Sequence, residues 1–229
     1  MRRKLATRSV LWIGLLPASR MKNWMLRFAG YSISAGAEIG PVVIWKVADF
    51  SAAAGSRIGA FNVFRDLNRV VVGSRATVGS WNWISAAVPF LSHLGATGEL
   101  VLGEDSAITS RHYIDCSGGV EVGRFSIVAG QRSTILTHGI DFTTARQTSE
   151  QVKFGDYSFV STNCTVLKGA TLPSKSILAA GAVLSRAGQD NDRPGLWGGV
   201  PARWIKSVDG HYFERETAYV EVESQGDVP

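Results

Sequence analysis

The chain has 229 residues, 45% of them hydrophobic, and a formal net charge of +5. This length and apolar content allow one domain with a full core. Its two cysteines, Cys116 and Cys164, stand alone, which excludes a disulfide framework and fits a reducing compartment. No basic and aromatic recognition module accompanies the positive charge, so we predict no nucleic-acid partner; an anionic cofactor or anionic lipid explains the charge as well.

Residues 1–30 mix apolar residues with basic ones. A secretory signal peptide is disfavoured, because Leu16 stands at the −3 position before Ala18 and basic, tryptophan-containing sequence continues beyond it. The apolar run is also too short to span a bilayer. We predict one or two amphipathic helices here. They either cap the end of the following domain or lie on a membrane surface, and the sequence leaves both options open.

From residue 31 to residue 186 the chain repeats with a period of six, which neither a helix nor a single strand has. The expected inward residues are Ile33, Ile39 and Trp45; Ile58, Phe64 and Val70; Val72, Val78 and Ile84; Leu102, Ile108, Ile114 and Val120; Val122, Val128, Thr134 and Ile140; and Phe154, Val160, Val166, Leu172, Leu178 and Leu184. Short units that cannot bury their own apolar residue must stack. The pattern therefore predicts a solenoid, most simply a triangular coil with one hexapeptide per side.

Three stretches depart from the repeat. Residues 86–98 and 141–153 lack it, and we predict that both are loops extruded from the coil, where solenoids carry function. Residues 187–229 form a linker, a closing motif and a tail, with a short helix predicted around Tyr212, Phe213 and Tyr219.

Two motifs accompany the repeat. Residues 137–142 read Thr-His-Gly-Ile-Asp-Phe, and residues 198–206 read Gly-Gly-Val-Pro-Ala-Arg-Trp-Ile-Lys. With the repeat, they resemble the hexapeptide-repeat acyltransferases, in particular the sugar and polysaccharide O-acetyltransferases, across residues 30–206. The resemblance implies an all-β, left-handed parallel β-helix that forms a homotrimer with active sites between neighbouring subunits. It also implies acetyl-CoA as the co-substrate.

His138 stands immediately before the second loop, where a coil corner should hold a small residue. Histidine suits general-base catalysis because its usual pKa of ~6.5 lies near working pH. The resemblance implies that His138 removes the proton of an acceptor hydroxyl. We predict that Asp141 holds the imidazole tautomer. His112 also breaks the small-residue rule and is assigned to the same cleft.

The resemblance places the remaining contacts by position. Substrate contacts fall on Thr109 and Arg111, where related sugar acetyltransferases have asparagine. Contacts to acetyl-CoA fall on Phe159, Thr162, Ala180, Ser185, Arg186, Arg203 and Lys206. The cations of the closing motif suit the phosphates of that cofactor. No metal is expected, because the histidines at 93, 112, 138 and 211 include no close pair.

These observations predict a cytoplasmic, acetyl-CoA-dependent O-acetyltransferase that acts on a sugar hydroxyl in surface polysaccharide or glycolipid assembly. Peripheral contact with the inner face of the membrane through the N-terminus stays an open option. N-acetylation of an amino sugar or small amine is one alternative. A catalytically silent β-helix that serves as a scaffold is another.

Overall fold

The structure, a computed structural model, describes residues 7–91, 97–186, 192–217 and 220. Two helices come first, α1 (Thr7–Gly14) and α2 (Arg20–Phe28). A short helix, α3 (Val88–Leu91), interrupts the strands later, and a 3-10 helix (His211–Glu214) lies in the tail.

Three sheets of short strands make the three sides of a prism. The first sheet contains β1 (Ser32–Ile33), β4 (Asp49–Ala52), β7 (Arg69–Val72), β10 (Glu99–Leu102), β13 (Val120–Val122), β18 (Val152–Phe154) and β21 (Thr171–Leu172). The second contains β2 (Glu38–Ile39), β5 (Arg57–Ile58), β8 (Thr77–Val78), β11 (Ala107–Ile108), β14 (Ile127–Val128), β19 (Phe159–Val160), β22 (Ser176–Leu178), β24 (Gly195–Gly199) and β25 (Ala202–Lys206). The third contains β3 (Val43–Trp45), β6 (Val63–Arg65), β9 (Trp83–Ser85), β12 (Tyr113–Asp115), β15 (Thr134–Ile135), β20 (Thr165–Val166) and β23 (Val183–Leu184).

The chain visits the sheets in the order first, second, third, and then begins the next coil. Pairing within each sheet is parallel from coil to coil, as between β19 and β22. Thr165 pairs with Val183, so the last coils take 18 residues, three hexapeptides each. This confirms the predicted left-handed parallel β-helix. We call the three corners the 1–2, 2–3 and 3–1 edges, after the sheets that they join.

The expected inward residues move by two positions between some groups, as from Val70 to Val72, and this shift has a simple cause. Strands of the first sheet such as β7 place two side chains inside, Val70 and Val72, so one side is longer than a hexapeptide. The expected inward residues are buried with three exceptions. Ile44 is buried in place of Trp45, Ile135 in place of Thr134, and Ile140 is exposed. Ile140 is exposed because its strand has already left the coil.

The second predicted loop is a β-hairpin. It pairs β16 (His138–Asp141) with β17 (Arg146–Ser149) in antiparallel fashion at the 3–1 edge. The extrusion thus begins at His138 rather than at residue 141, and residues 152 and 153 already belong to β18. In the first predicted loop, α3 is described, and residues 92–96 lie outside the described residues.

Helices α1 and α2 cover the open end of the first coil. Val10, Ile13 and Leu26 are buried against it, and the amide of Val42 donates to the carbonyl of Gly14 at 2.8 Å. A Cβ at Gly14 would stand only 2.6 Å from the carbonyl oxygen of Val42, so this contact requires glycine. Within the described residues, no helix is long and apolar enough to cross a membrane.

The closing motif folds as the antiparallel pair β24 and β25, which extends the second sheet. The 3-10 helix of the tail contains Tyr212 and Phe213, whereas Tyr219 lies outside the described residues. Arg215 joins the tail to the coil, because its guanidinium donates to the carbonyl of Phe125 and lies 5.7 Å from the ring centroid of Tyr157.

Candidate active site

The histidine that begins the hairpin lies at the 3–1 edge beside a buried carboxylate. Nδ1 of His138 stands 2.8 Å from Oδ2 of Asp115, the last residue of β12. The two residues are 23 positions apart in sequence. They meet because β12 and β15 are neighbours in the third sheet. Asp115 at the end of β12 and His138 just after β15 therefore reach the same edge.

Five donors converge on the carboxylate of Asp115. Oδ1 accepts from the amide and hydroxyl of Ser117 at 3.2 and 2.5 Å. Oδ2 accepts from the amide and hydroxyl of Thr137, both at 2.8 Å, and from His138. Burial alone would raise the pKa of Asp115, but the hydrogen bonds from Ser117, His138 and Thr137 outweigh it and hold the pKa below its usual range. The carboxylate is therefore a fixed negative charge at neutral pH.

This charge determines which ring nitrogen of neutral His138 carries the proton. A carboxylate only accepts, so Nδ1 of neutral His138 carries the proton and the lone pair lies on Nε2. The side chain of His138 is 37% exposed, against 5% for that of Asp115. One nitrogen is thus anchored inside, and the ring as a whole remains within reach of a substrate. Such a pair is suited to take up a proton at Nε2.

The prediction that Asp141 holds this ring is wrong. The carboxylate of Asp141 accepts from the amides of Thr143 and Thr144 at 2.9 and 3.4 Å, so it caps the tip of the hairpin. Asp141 is also three positions along an extended strand from His138, and alternation directs the two side chains to opposite faces. Asp115 has the role that was predicted for Asp141.

His112 belongs to the hydrogen-bonded 2–3 edge of the coil and not to the site around His138. At the 2–3 edge, one side chain in each coil accepts the backbone amide of the next coil. Asn62 accepts from Asn82 at 2.9 Å, Asn82 from His112 at 2.9 Å, His112 Nδ1 from Ser133 at 3.2 Å, and Ser133 from Cys164 at 3.1 Å. His112 is only 2% exposed, and its Nε2 contacts the hydroxyl of Thr109 at 3.0 Å. The prediction of a catalytic role for His112 is therefore wrong.

Burial also keeps this ring neutral, because it lowers the pKa of His112 to about 4. Protonation would moreover set an N–H at Nδ1 against the amide of Ser133. In the unfolded chain an ordinary histidine has a pKa of ~6.5. The unfolded state therefore binds the proton first as the pH falls. The stability that neutral His112 supports is present above pH ~6.5 and is lost progressively towards pH ~4.

We predict that the His112→Asn variant removes this pH dependence. Asparagine holds the same ladder position in the two preceding coils, at Asn62 and Asn82, and it has no proton to gain. Between pH 7 and pH 4, wild-type stability should fall by about 3 kcal/mol more than that of His112→Asn. Urea unfolding across this pH range measures the difference. His211→Asn, which removes a fully exposed histidine, is the control and should behave as wild type.

The remaining predicted substrate residues lie at the opposite end of β12 from Asp115. Thr109 Oγ1 stands 2.6 and 3.1 Å from the carbonyls of Gly130 and Val128 and also contacts His112, so this hydroxyl serves the coil itself. Arg111 is exposed at the 2–3 edge with a left-handed backbone, φ 64°. The width of the third sheet separates both residues from His138.

The predicted cofactor residues divide between the edges. Thr162 and Ala180 are exposed at the 2–3 edge, whereas Ser185 and Arg186 follow β23 at the 3–1 edge, where Arg186 pairs with Glu150 at 2.5 Å. Arg203 and Lys206 are exposed on β25. Phe159 of the second sheet is half-buried beneath the tail, with its ring centroid 5.8 Å from that of Tyr212.

Comparison with known proteins gives structural likenesses only. No family model and no curated protein matches the chain. A mutant of AntD, an N-acyltransferase from Bacillus cereus, in complex with dTDP and coenzyme A is 12% identical, with a TM-score of 0.48 over 83% of this chain and 92% of that chain. The polysialic acid O-acetyltransferase OatWY is 12% identical, with a TM-score of 0.39 over 85% and 89% of the two chains. A hexapeptide-repeat-containing acetyltransferase from Vibrio cholerae, in complex with acetyl coenzyme A, is 13% identical, with a TM-score of 0.42 over 89% and 86%.

Three residues of this site besides Asp115 were not predicted from the sequence. Ser117 and Thr137 each donate twice to the carboxylate, and Lys168 Nζ contacts the hydroxyl of Thr148, which ties the hairpin to the next coil. A usable signal existed for Asp115. Asp115 directly follows the inward-facing Ile114, and a charge at such a position needs a partner. One coil later, the chain reaches His138.

Proposed function

We propose that this protein is an acetyl-CoA-dependent O-acetyltransferase that acetylates a sugar hydroxyl in surface polysaccharide or glycolipid assembly. The observation that carries the proposal is the pair of His138 and Asp115 at 2.8 Å, a partly exposed imidazole held by a buried carboxylate. A structural histidine does not need this arrangement. His112, which has a structural role, is buried and contacts no carboxylate in the hydrogen bonds described for it.

The pair would act as an oriented general base. Nε2 of His138 takes the proton of the acceptor hydroxyl as the oxygen bonds to the acyl carbon. Asp115 keeps the ring in the required tautomer and stabilises the imidazolium that forms. The imidazolium then returns the proton to the sulfur as the carbon–sulfur bond breaks. Acetyl-CoA would supply the acyl group as a thioester, so the reaction needs no other reactant.

The last coils present a surface that fits an extended pantetheine chain. Larger residues occupy the left-handed corner positions of the 2–3 edge in the earlier coils, Phe61, Trp81, Arg111, Arg132 and Asn163. The final corner position is Gly181, next to exposed Ala180, and a Cβ at Gly181 would meet no atom within 4 Å. The backbone here is open to a ligand. Exposed Arg203 and Lys206 on β25 suit the phosphates.

We further propose that the working unit is a homotrimer. The base lies at the 3–1 edge, and the pantetheine surface lies at the 2–3 edge, so one copy holds them on opposite borders of its third sheet. A neighbouring copy can place its 2–3 edge against the 3–1 edge of the first copy. Three-fold closure then gives three such sites without an open contact.

Mixing two inactive variants tests this assembly. His138→Ala lacks the base, and Ala180→Trp fills the open surface at an exposed position. If each site uses both edges from different copies, randomly mixed trimers should recover about one quarter of wild-type activity. The reason is that three of four trimers are mixed and each has one intact site of three. Light scattering should show the trimer. No recovery, or full activity in a monomer, would refute the shared site.

The function itself is tested by thiol release from acetyl-CoA in the presence of a panel of sugars and matching amino sugars. Acetyl-CoA consumption that depends on a sugar hydroxyl, with an ester product, supports the proposal. An amide product would assign N-acetylation instead. Neither turnover nor acetyl-CoA binding would assign the scaffold role. We place the reaction in the cytoplasm, because Cys116 and Cys164 are both free and buried, as fits a reducing compartment.

A further inference from the structure

The excess of positive charge comes from the first 37 residues of the chain. Residues 1–37 contain seven lysines and arginines and no acidic residue, while the rest of the chain has 17 basic and 19 acidic residues. The positive net charge therefore belongs to the segment that contains α1 and α2. Arg8 and Arg20 are exposed on these helices, and Lys22 is buried as part of the cap.

Each of the two helices has a second apolar face in addition to its buried one. The exposed side chains of this outer face are Arg8, Trp12 and Leu15 on and just after α1, and Arg20, Met21, Trp24 and Phe28 on α2. Their spacing of three and four residues puts them on one side of each helix. Trp12, Met21, Trp24 and Phe28 are 59–70% exposed. Large apolar residues gathered in this way mark an interaction surface.

The outer face belongs to helices that are hydrogen-bonded to the first coil. Lys22 Nζ donates to the carbonyls of Gly14, Leu16 and Gly40 at 2.7, 2.8 and 2.5 Å, so it joins both helices to the first coil. Asn23 adds a bond to the carbonyl of Ala37 at 2.7 Å. Trp24 and Phe28 of the outer face also line a groove with Ile33 and Ala52 of the first two coils.

We propose that this outer face docks on an anionic lipid bilayer and lies in its interface. Tryptophan and phenylalanine prefer the headgroup boundary, and arginine beside them attracts anionic lipid. The helices of 8 and 9 residues are too short to cross a bilayer, so they would lie on it. A second copy of the chain is a poorer occupant, because two such faces would bring like charges together. The inference goes beyond the proposed function and does not depend on it.

Sedimentation with lipid vesicles tests the proposal on the full-length protein with its native N-terminus. The protein should bind vesicles of phosphatidylcholine mixed with phosphatidylglycerol and not those of phosphatidylcholine alone. Trp12→Ser with Trp24→Ser should weaken binding by at least about tenfold. Arg8→Gln with Arg20→Gln should weaken it about 25-fold, roughly fivefold for each charge.

Matched variants on the sides of the prism distinguish binding through this face from nonspecific binding by any exposed aromatic or basic residue. Phe61→Ser with Trp81→Ser removes two exposed aromatic rings, and Arg132→Gln with Lys175→Gln removes two exposed charges. Both should bind vesicles as wild type does. Equal loss in these controls, or no binding to anionic vesicles, would overturn the proposal. Concentration-dependent self-association that disappears in the Trp12 and Trp24 variant would also overturn it, by assigning the face to a protein contact.

Discussion

Replacing His138 by alanine should lower turnover by ~10²–10⁴-fold, the usual contribution of a general base. The fold should survive, because the side chain is 37% exposed and lies outside the apolar interior. The affinity for acetyl-CoA should change little, since His138 is not among the residues assigned to cofactor binding. Steady-state kinetics with acetyl-CoA and a sugar acceptor measures both quantities.

Two variants show whether this loss is specific. His112→Asn also removes a histidine, but from the ladder of the 2–3 edge, and it should retain near wild-type turnover at neutral pH. Asp115→Asn keeps the volume of the positioning residue and removes its charge. It should lower turnover and leave the KM for acetyl-CoA unchanged. It should also cost about 1–3 kcal/mol of stability, because donors now built around a carboxylate lose an acceptor. Wild-type turnover in His138→Ala would place the base elsewhere.

Replacing Leu172 by aspartate should destabilise the coil by several kcal/mol, since it buries a charge without a partner. Leu172 is fully buried, and it stacks on Phe154 in the first sheet. A loss of this size is a large part of the stability of a typical domain, so little folded protein should remain. Circular dichroism and urea unfolding of the purified variant measure the effect.

The matched substitution is Lys175→Asp, three positions further on. Lys175 is exposed at a corner with φ 54°, a left-handed conformation that aspartate tolerates. This variant should fold as wild type does. Cooperative folding of Leu172→Asp at wild-type yield would show that the inward register is wrong.

The coil could be predicted because its determinants are local and repeated. Each large inward-facing apolar residue from Phe154 to Leu184 follows the previous one by six positions, whatever the rest of the chain does. Trp45 and Thr134 were misplaced by one residue where strands of the third sheet hold their inward side chain at Ile44 and Ile135. A side of the prism that is longer or shorter than six residues shifts the positions of the following inward residues. Nothing in the sequence marks which sides have a different length.

The site was only half predictable for the same reason. His138 broke a local rule and could be found. Its partner could not be chosen by nearness in sequence, which favoured Asp141, because the hairpin turns Asp141 away. Asp115 reaches His138 through the pairing of two coils. His112 broke the same local rule as His138, and only its burial shows that it stabilises the wall.

In the proposed reaction, His138, held by Asp115, removes the proton of a sugar hydroxyl as that hydroxyl takes the acetyl group of acetyl-CoA. The most direct measurement is mass spectrometry and NMR of the acceptor after incubation with acetyl-CoA and wild type, His112→Asn or His138→Ala. We expect an O-acetyl ester with wild type and His112→Asn, and almost none with His138→Ala. Equal ester formation by all three proteins would contradict it.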